Sequence, residues 1–594
     1  MYKYLEKING PEDVKKLDIS ELKKLANEIR EALLFRLSKH GGHVGPNLGT
    51  VELEIAMHYV FNSPVDKFVF DVSHQSYTHK ILTGRKLGYI DENYFNEDSG
   101  YTNPLESKHD LFNIGHTSTS ISLASGLAKA RDLKGEKENI VAVIGDGSLS
   151  GGEALEGLDF VGSEINSNFI IIVNDNQMAI AENHGGLYKS LEELRNTNGT
   201  SSNNIFKAFG LDYKYEPDGN NIEKLINDLK EIKDIDHPIV LHINTLKGKG
   251  YDFAEENKEA WHWSNPFDLD TGKTIANFAG ENYRTITANY LLNKVKSDKK
   301  VAVVTAAVPG AVGLTKSIRE QMGKQYVDVG IAEEQATAMI SGIAKNGGKP
   351  VFLTNATFMQ RTYDQVAQDI CINNNPATMV IFNASVYGMN DVTHLGLYAL
   401  GEFSNIPNLV VLEPTSKQEY LNMLDWSLEQ NEHPVMIVVP TTPITEDTRN
   451  FEKDYSNINK FKMEKEGQDV AILVLGDFYN LGKEVADEIN ASLINPRFAS
   501  GIDEEMMKQL IKENKVIVTI EDGILDGGFG QKIASFCGKY DVKVLNYGIK
   551  KSFPDRYDVQ KLLEENRITK KQIIEDINKL NKNIWFFIIC LTLF

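Results

Sequence analysis

The chain has 594 residues, 41% hydrophobic and 25% charged, which excludes a disordered or fibrous protein and leaves room for three or four globular domains. Lys and Arg total 63 against 83 Asp and Glu, a net charge of −20, which argues against nucleic acid as a partner because phosphate backbones are met by basic faces. Cys371, Cys537 and Cys590 lie too far apart for metal-ligand spacing and read as free thiols of a reducing cytoplasm.

The N-terminal stretch is charged throughout and reads as neither a signal nor a transit peptide. Leu22, Leu25, Ile29 and Leu33 recur at helical spacing just before the loop GGHVGPNLG at 41–49. Residues 140–144 (IVAVI) and 169–173 (FIIIV) are short, β-branched, continuously apolar runs, as buried parallel strands require. A helical segment starting near Gly152 joins them, which predicts a right-handed crossover. The polar stretch 264–282 marks a first boundary. A second α/β series follows, with strands predicted at 301–305, 379–383, 409–412 and 435–439, then a charged, Thr-rich linker at about 441–467. A third series has strands at 470–476, 516–520 and 542–548. The expected fold is α/β, with three doubly wound domains of mainly parallel sheet over residues 1–270, 283–445 and 465–580. The apolar tail at 584–594 (IWFFIICLTLF) is shorter than the ~20 residues a membrane-spanning helix needs, so no membrane role is expected.

Two motifs fall at the carboxyl ends of predicted strands, where open α/β sheets bind ligands. The first, Gly145-Asp146-Gly147-Ser148, follows residues 140–144; the second, Asn174-Asp175-Asn176-Gln177-Met178, follows residues 169–173. Mg²⁺ takes hard oxygen ligands and bridges a carboxylate to phosphates. Asp146 offers the carboxylate, Asn176 an amide oxygen, and Gly147 lets backbone approach a diphosphate closely. A dinucleotide site would need a strand–GxGxxG–helix unit, and none appears in these strand contexts. His43, His74, His79, His116 and His394 all fall in Gly-rich or polar segments, which suggests a proton-handling pocket.

The motif pair resembles the thiamine-diphosphate motif of transketolase-like enzymes. Further segments resemble the 1-deoxy-D-xylulose-5-phosphate synthase family more specifically: GGHVGPNLGTVEL at 41–53, FDVSHQSYTHKILTGR at 70–85, GHTSTSIS at 115–122, KGKGYDFAE at 247–255, VDVGIAEEQA at 327–336 and TFMQRTYDQV at 357–366. The resemblance implies a transketolase-like fold, a homodimer and a cytoplasmic transferase dependent on thiamine diphosphate and Mg²⁺. It implies decarboxylation of pyruvate and transfer of the two-carbon unit to glyceraldehyde 3-phosphate, giving the 1-deoxy-D-xylulose 5-phosphate used for isoprenoids and thiamine. It further implies metal ligands at Asp146, Asn176 and the Met178 carbonyl. Cofactor contacts are implied at His74, Gly115, His116, Thr117, Gly147, Ser148, Asn176, Tyr251, Glu333 and Phe358. His43, His74 and His394 are implied in proton transfer, with His43, His394 and Arg361 on the substrate side. Glu333 is implied as the acid that bonds N1′ of the aminopyrimidine and favours its imino form.

The acceptor half departs from the family pattern. The two arginines that the resemblance implies for the acceptor phosphate are replaced by Asn383 and by Val438 or Thr441. The family's acidic acceptor contact becomes Asn390, with Asp391 beside it; Glu334-Gln335 follows Glu333, and the segment between Met178 and Lys247 is short. Arg361, Lys247 and Lys249 are the basic residues expected to compensate. The alternatives are a relative that transfers the two-carbon unit to another, unphosphorylated aldehyde, and a thiamine-diphosphate-binding protein without catalysis.

Overall fold

The computed structural model describes residues 2–275, 280–444 and 447–580. The tail at 584–594 lies outside the described residues. The chain forms two compact units, one from the described residues up to 275 with Gly330–Ala332, the other from residues 280–329 and 333–580.

The first unit is built on five parallel strands: β1 (Lys67–Phe70), β2 (Ile140–Gly145), β3 (Phe169–Asp175), β4 (Asp212–Glu216) and β5 (Pro238–Asn244), in the order β1-β2-β3-β5-β4. Every residue of β3 is buried, as expected for a strand covered on both faces. Helix Ile19–His40 starts with a capping box in which Asp18 and Glu21 satisfy each other's backbone N–H, and it buries Leu22, Leu25, Ile29 and Leu33 as its spacing predicts. Helix Ile222–Ile232 buries Ile222, Leu225, Ile226, Leu229 and Ile232 on one face, each contributing about 1.5–3 kcal/mol.

The stretch at 264–275 is not a loose linker. Gly42 and Ser264 exchange two backbone hydrogen bonds of 2.9 Å, and Phe267 is buried in the first unit's core. A side chain at Gly41, whose φ is +80°, would start 2.8 Å from the Ser264 carbonyl, so this pairing requires glycine.

The second unit holds two sheets. One comprises β6 (Val301–Thr305), β7 (Tyr326–Asp328), β8 (Lys349–Asn355), β9 (Thr378–Phe382), β10 (Val410–Leu412) and β11 (Val435–Val438), all parallel in the order β10-β11-β9-β8-β6-β7. The other comprises β12 (Lys462–Lys465), β13 (Asp469–Val474), β14 (Ser492–Asn495), β15 (Asn514–Ile524) and β16 (Lys543–Ile549) in the order β12-β14-β13-β15-β16. Only β12 in this sheet runs antiparallel. One hydrophobic cluster takes Phe352 and Ile381 from the first of these sheets and Leu473 and Ile517 from the second. The predicted linker at 441–467 contains β12 and three buried aromatics, Phe451, Tyr455 and Phe461. Its composition concealed them because isolated aromatics among charges carry no periodicity. Three mainly parallel α/β sheets are thus present, as the strand pattern predicts. Among the described residues, no helix is long and apolar enough to cross a membrane.

Candidate active site

In the first unit, the two motif loops leave β2 and β3 side by side, as register pairs Gly145 with Asn174. Asp146 is buried. Its carboxylate accepts from the Asn183 amide at 2.6 Å and from the Asn176 backbone N–H at 3.5 Å. Burial and the neighbouring Asp175 raise its pKa to about 7. Asp175 is held differently: Arg195 and His242 bond its carboxylate and keep its pKa low. Asn176 Oδ1 accepts from Met178 N–H at 3.2 Å, so amide oxygen and Met178 backbone belong to one tight turn. The Gly147 carbonyl accepts from the Tyr188 hydroxyl and from Ser150 Oγ, each at 3.1 Å. Lys247 Nζ reaches the Ala179 carbonyl at 2.7 Å, and burial lowers its pKa to about 8. Among the described residues, no three His, Cys, Asp or Glu side chains converge as a metal cage. Any cation here would take one carboxylate, amide and carbonyl oxygens, and oxygens from a ligand, a set that suits Mg²⁺ bridging phosphates.

Three histidines of this unit form a cluster. The rings of His43 and His74 are 4.9 Å apart, those of His43 and His262 5.6 Å, and those of His74 and His262 5.2 Å. Asn47 fastens the two loops that carry the first two: its amide donates 2.8 Å bonds to the carbonyls of both His43 and His74. Burial pushes the His262 imidazole pKa well down, and its Nδ1 is sealed without a hydrogen-bond partner. His262 was not foreseen; the signal was its place just beyond KGKGYDFAE, between Trp261 and Trp263.

The Gly115-His116-Thr117 segment is organised by Asp71, a buried carboxylate that accepts from Ser118 N–H at 2.8 Å and Ser120 N–H at 3.0 Å. Val72, Ser73 and Ser118 all have positive φ, so backbone strain gathers on the two segments that present His74 and His116. Ser118 Oγ donates to the Ser148 carbonyl at 2.8 Å, linking this segment to the Asp146 loop. Tyr251 packs edge-on to Trp261, and its hydroxyl donates to the Leu269 carbonyl at 3.1 Å. His79 is not in a loop: it lies in the helix Tyr77–Lys80, fully buried, with Nε2 3.0 Å from Asp110 and Nδ1 2.9 Å from His58. Its apparent loop composition reflects a short helix closed by internal ion pairs, and those contacts are structural.

In the second unit, Glu333 is the first residue of helix Glu333–Lys345 and is buried, whereas Glu334 is only half-buried. Burial raises the Glu333 pKa to about 7 despite the opposing Arg361, whose Nη1 lies 3.6 Å from Glu333 Oε2. That same Oε2 is buried without a hydrogen-bond partner. Phe358 stands edge-on to His394 with ring centroids 5.9 Å apart. Burial pushes the His394 pKa down to about 4, and its Nδ1 lies 2.8 Å from Thr393 Oγ1. Asp391 accepts from the Thr393 N–H and hydroxyl and so orders this loop. Asn390 turns away and donates to the Tyr557 carbonyl at 3.1 Å.

The residues fit thiamine diphosphate in each unit by itself. The first supplies oxygen donors only, the Asp146 carboxylate and the Asn176 amide oxygen, on adjacent loops. The second supplies a buried carboxyl of raised pKa with one oxygen that makes no hydrogen bond, as an aminopyrimidine nitrogen would require.

Residues 5–204 and 196–245 match the family described as 1-deoxy-D-xylulose-5-phosphate synthase. Residues 280–444 match the transketolase pyrimidine-binding domain, and 459–573 the transketolase C-terminal domain. The 1-deoxy-D-xylulose-5-phosphate synthase of Alkaliphilus oremlandii is 37% identical over 98% of this chain and 99% of its own. That of Caldanaerobacter subterraneus subsp. tengcongensis is 36% identical over 96% and 98%. Among solved structures, the transketolase of Campylobacter jejuni aligns with 95% of this chain and 100% of its own at 17% identity and a TM-score of 0.42. The chain belongs to the 1-deoxy-D-xylulose-5-phosphate synthase family, whose members are transferases with transketolase-like domains.

Proposed function

We propose that this enzyme decarboxylates pyruvate and transfers the two-carbon unit to glyceraldehyde 3-phosphate, using thiamine diphosphate and Mg²⁺. The observation that carries this reading is Glu333: a buried carboxyl whose pKa is raised to about 7 and whose Oε2 makes no hydrogen bond, at the position that the resemblance implies for the acid beside the aminopyrimidine. When bound, thiamine diphosphate supplies an acidic carbon that makes loss of CO₂ from a 2-oxo acid and addition to an aldehyde accessible. With its pKa raised to about 7, Glu333 exchanges a proton near neutral pH and would share it with the aminopyrimidine nitrogen. Asp146, the Asn176 amide oxygen and the Met178 carbonyl would hold the metal, and Gly147, Ser148, Gly115, His116 and Thr117 would hold the diphosphate end. Tyr251 in the first unit and Phe358 in the second would be further cofactor contacts. His394 is neutral at physiological pH, so its imidazole can accept a proton from a substrate hydroxyl. His43, His74 and His262 present imidazole nitrogens that carry protons to and from substrate oxygens. Arg361, whose Nη1 lies 3.6 Å from Glu333, would stand on the substrate side.

The same reading carries a homodimeric assembly, a cytoplasmic location and a place in making an isoprenoid and thiamine precursor. The buried free thiols of Cys371 and Cys537 support a reducing compartment. One observation favours a second reading, an acceptor without phosphate: Val438 lines a small cavity with Glu413, Asp477 and Asp522. Titration calorimetry with thiamine diphosphate, with and without Mg²⁺, followed by CO₂ release from pyruvate, tests the proposal. Binding and release should both require the metal, and equal affinity in excess chelator would contradict the metal assignment.

A further inference from the structure

Among the described residues, no carboxylate lies within ion-pair distance of the Arg284 guanidinium, which is set at the carboxyl end of the first sheet of the second unit. Its Nε donates to the Ala311 carbonyl at 2.7 Å, in the segment that follows β6. Its Nη2 donates to Asn383 Oδ1 at 3.0 Å, just beyond β9. Both acceptors are neutral. Arg284 is also the second residue of helix Tyr283–Ser297, which has no acidic residue in its first turn. A cation there opposes the helix macrodipole, and an anion beside it would relieve both charges. The residue is exposed, and Nη1 remains available as a donor.

The surroundings are rigid. Asn383 is itself held in the left-handed region, with φ +59°, and its amide donates to Asn355 Oδ1 at 2.9 Å. Its carbonyl is packed against the loop that carries His394: a side chain at Gly396 would start 2.0 Å from that oxygen. The guanidinium is therefore fixed to the same stretch of backbone that borders His394.

The other candidates are engaged or wrongly charged. Arg361 lies 3.6 Å from Glu333, Lys247 donates to the Ala179 carbonyl, and Lys249 lies 3.2 Å from Glu52, so two of these three cations already face a carboxylate, whereas both acceptors of Arg284 are neutral. The Val438–Thr441 place is acidic: the backbone N–H groups of Thr441 and Thr442 donate to Asp477, and Glu413 and Asp522 line the same cavity. A phosphate dianion there would meet three acidic side chains and no guanidinium among the lining residues.

We infer that Arg284, steadied by Asn383 and Asn355, is the residue that recognises the phosphate of the acceptor aldehyde, in place of arginines on the strand ends. This rests on the carboligation reading above. A charge-assisted guanidinium–phosphate contact makes Arg284→Ala lower the preference for glyceraldehyde 3-phosphate over glyceraldehyde, as a ratio of kcat/KM, by about 10- to 100-fold. Arg284→Lys, which keeps the charge and loses the fork, should fall between. Calorimetry of the cofactor-loaded protein with glycerol 3-phosphate, which cannot react, gives a readout independent of turnover. Weaker binding by Arg284→Ala than by wild type supports the inference even if wild type forms no ketose, an outcome that would overturn the carboligation reading alone. Equal binding of glycerol 3-phosphate by wild type and Arg284→Ala, with an unchanged preference ratio, overturns the inference.

Discussion

Replacing Glu333 by Gln should make the cofactor-free protein more stable above neutral pH while abolishing turnover. The side chain is buried at the start of its helix, and burial raises its pKa from the ordinary 4.5 to about 7. Below pH 4.5 the carboxyl is protonated in both folded and unfolded chains, and the group carries no penalty. As pH rises towards 7 the unfolded chain releases its proton first, so stability is lost across this window and the loss levels off above it. The gap between 4.5 and about 7 corresponds to about 3 kcal/mol. Glutamine keeps the shape and removes the ionisation. The Arg361 guanidinium 3.6 Å away lowers the shift, and the figure is already net of its attraction. Urea unfolding of both apoproteins should therefore coincide near pH 4.5 and diverge by about 2–3 kcal/mol near pH 8 in favour of the variant. CO₂ release from pyruvate should drop by about 10²- to 10⁴-fold, the contribution of a positioned proton donor. A variant that becomes progressively less stable than wild type as pH rises would refute the argument, because Glu333 would then be a stabilised carboxylate and no proton reservoir.

Asp146→Asn should lose Mg²⁺-dependent cofactor binding while its apo melting midpoint holds or rises, since the buried carboxyl has a pKa near 7; circular dichroism with calorimetry separates the two effects. Asp71→Ala leaves the N–H groups of Ser118 and Ser120 without their acceptor, costing about 1–3 kcal/mol each if they stay buried, and should weaken cofactor binding measured by fluorescence quenching. His262→Ala should lower kcat by about 10²-fold or more and flatten the pH–rate profile, while a purely structural role would change the melting midpoint and leave the profile's shape intact. Deleting the tail at 584–594 should leave turnover unchanged, because every motif lies upstream.

Buried strands were the most legible part of the sequence, because a run such as residues 169–173 has few other places to go. The loops after β2 and β3 were legible too, since spacing and strand context coincide there. Two kinds of feature were not. Clamps join residues distant in the chain: Asn47 bonds the His74 carbonyl, and Asp71 bonds Ser118, without any local pattern to announce them. Replacements that arise on another element are equally silent. Arg284 opens a helix, and nothing in its neighbours says that its side chain ends on Asn383. Histidine illustrates the reverse error, since His79 shares a segment with His74 yet is consumed by Asp110 and His58.

The most direct test of the account is product identification. With thiamine diphosphate, Mg²⁺, carbon-13-labelled pyruvate and glyceraldehyde 3-phosphate, NMR should show 1-deoxy-D-xylulose 5-phosphate accumulating in step with released CO₂. Release of CO₂ with no labelled ketose phosphate, or a labelled product formed only with unphosphorylated aldehydes, would contradict it.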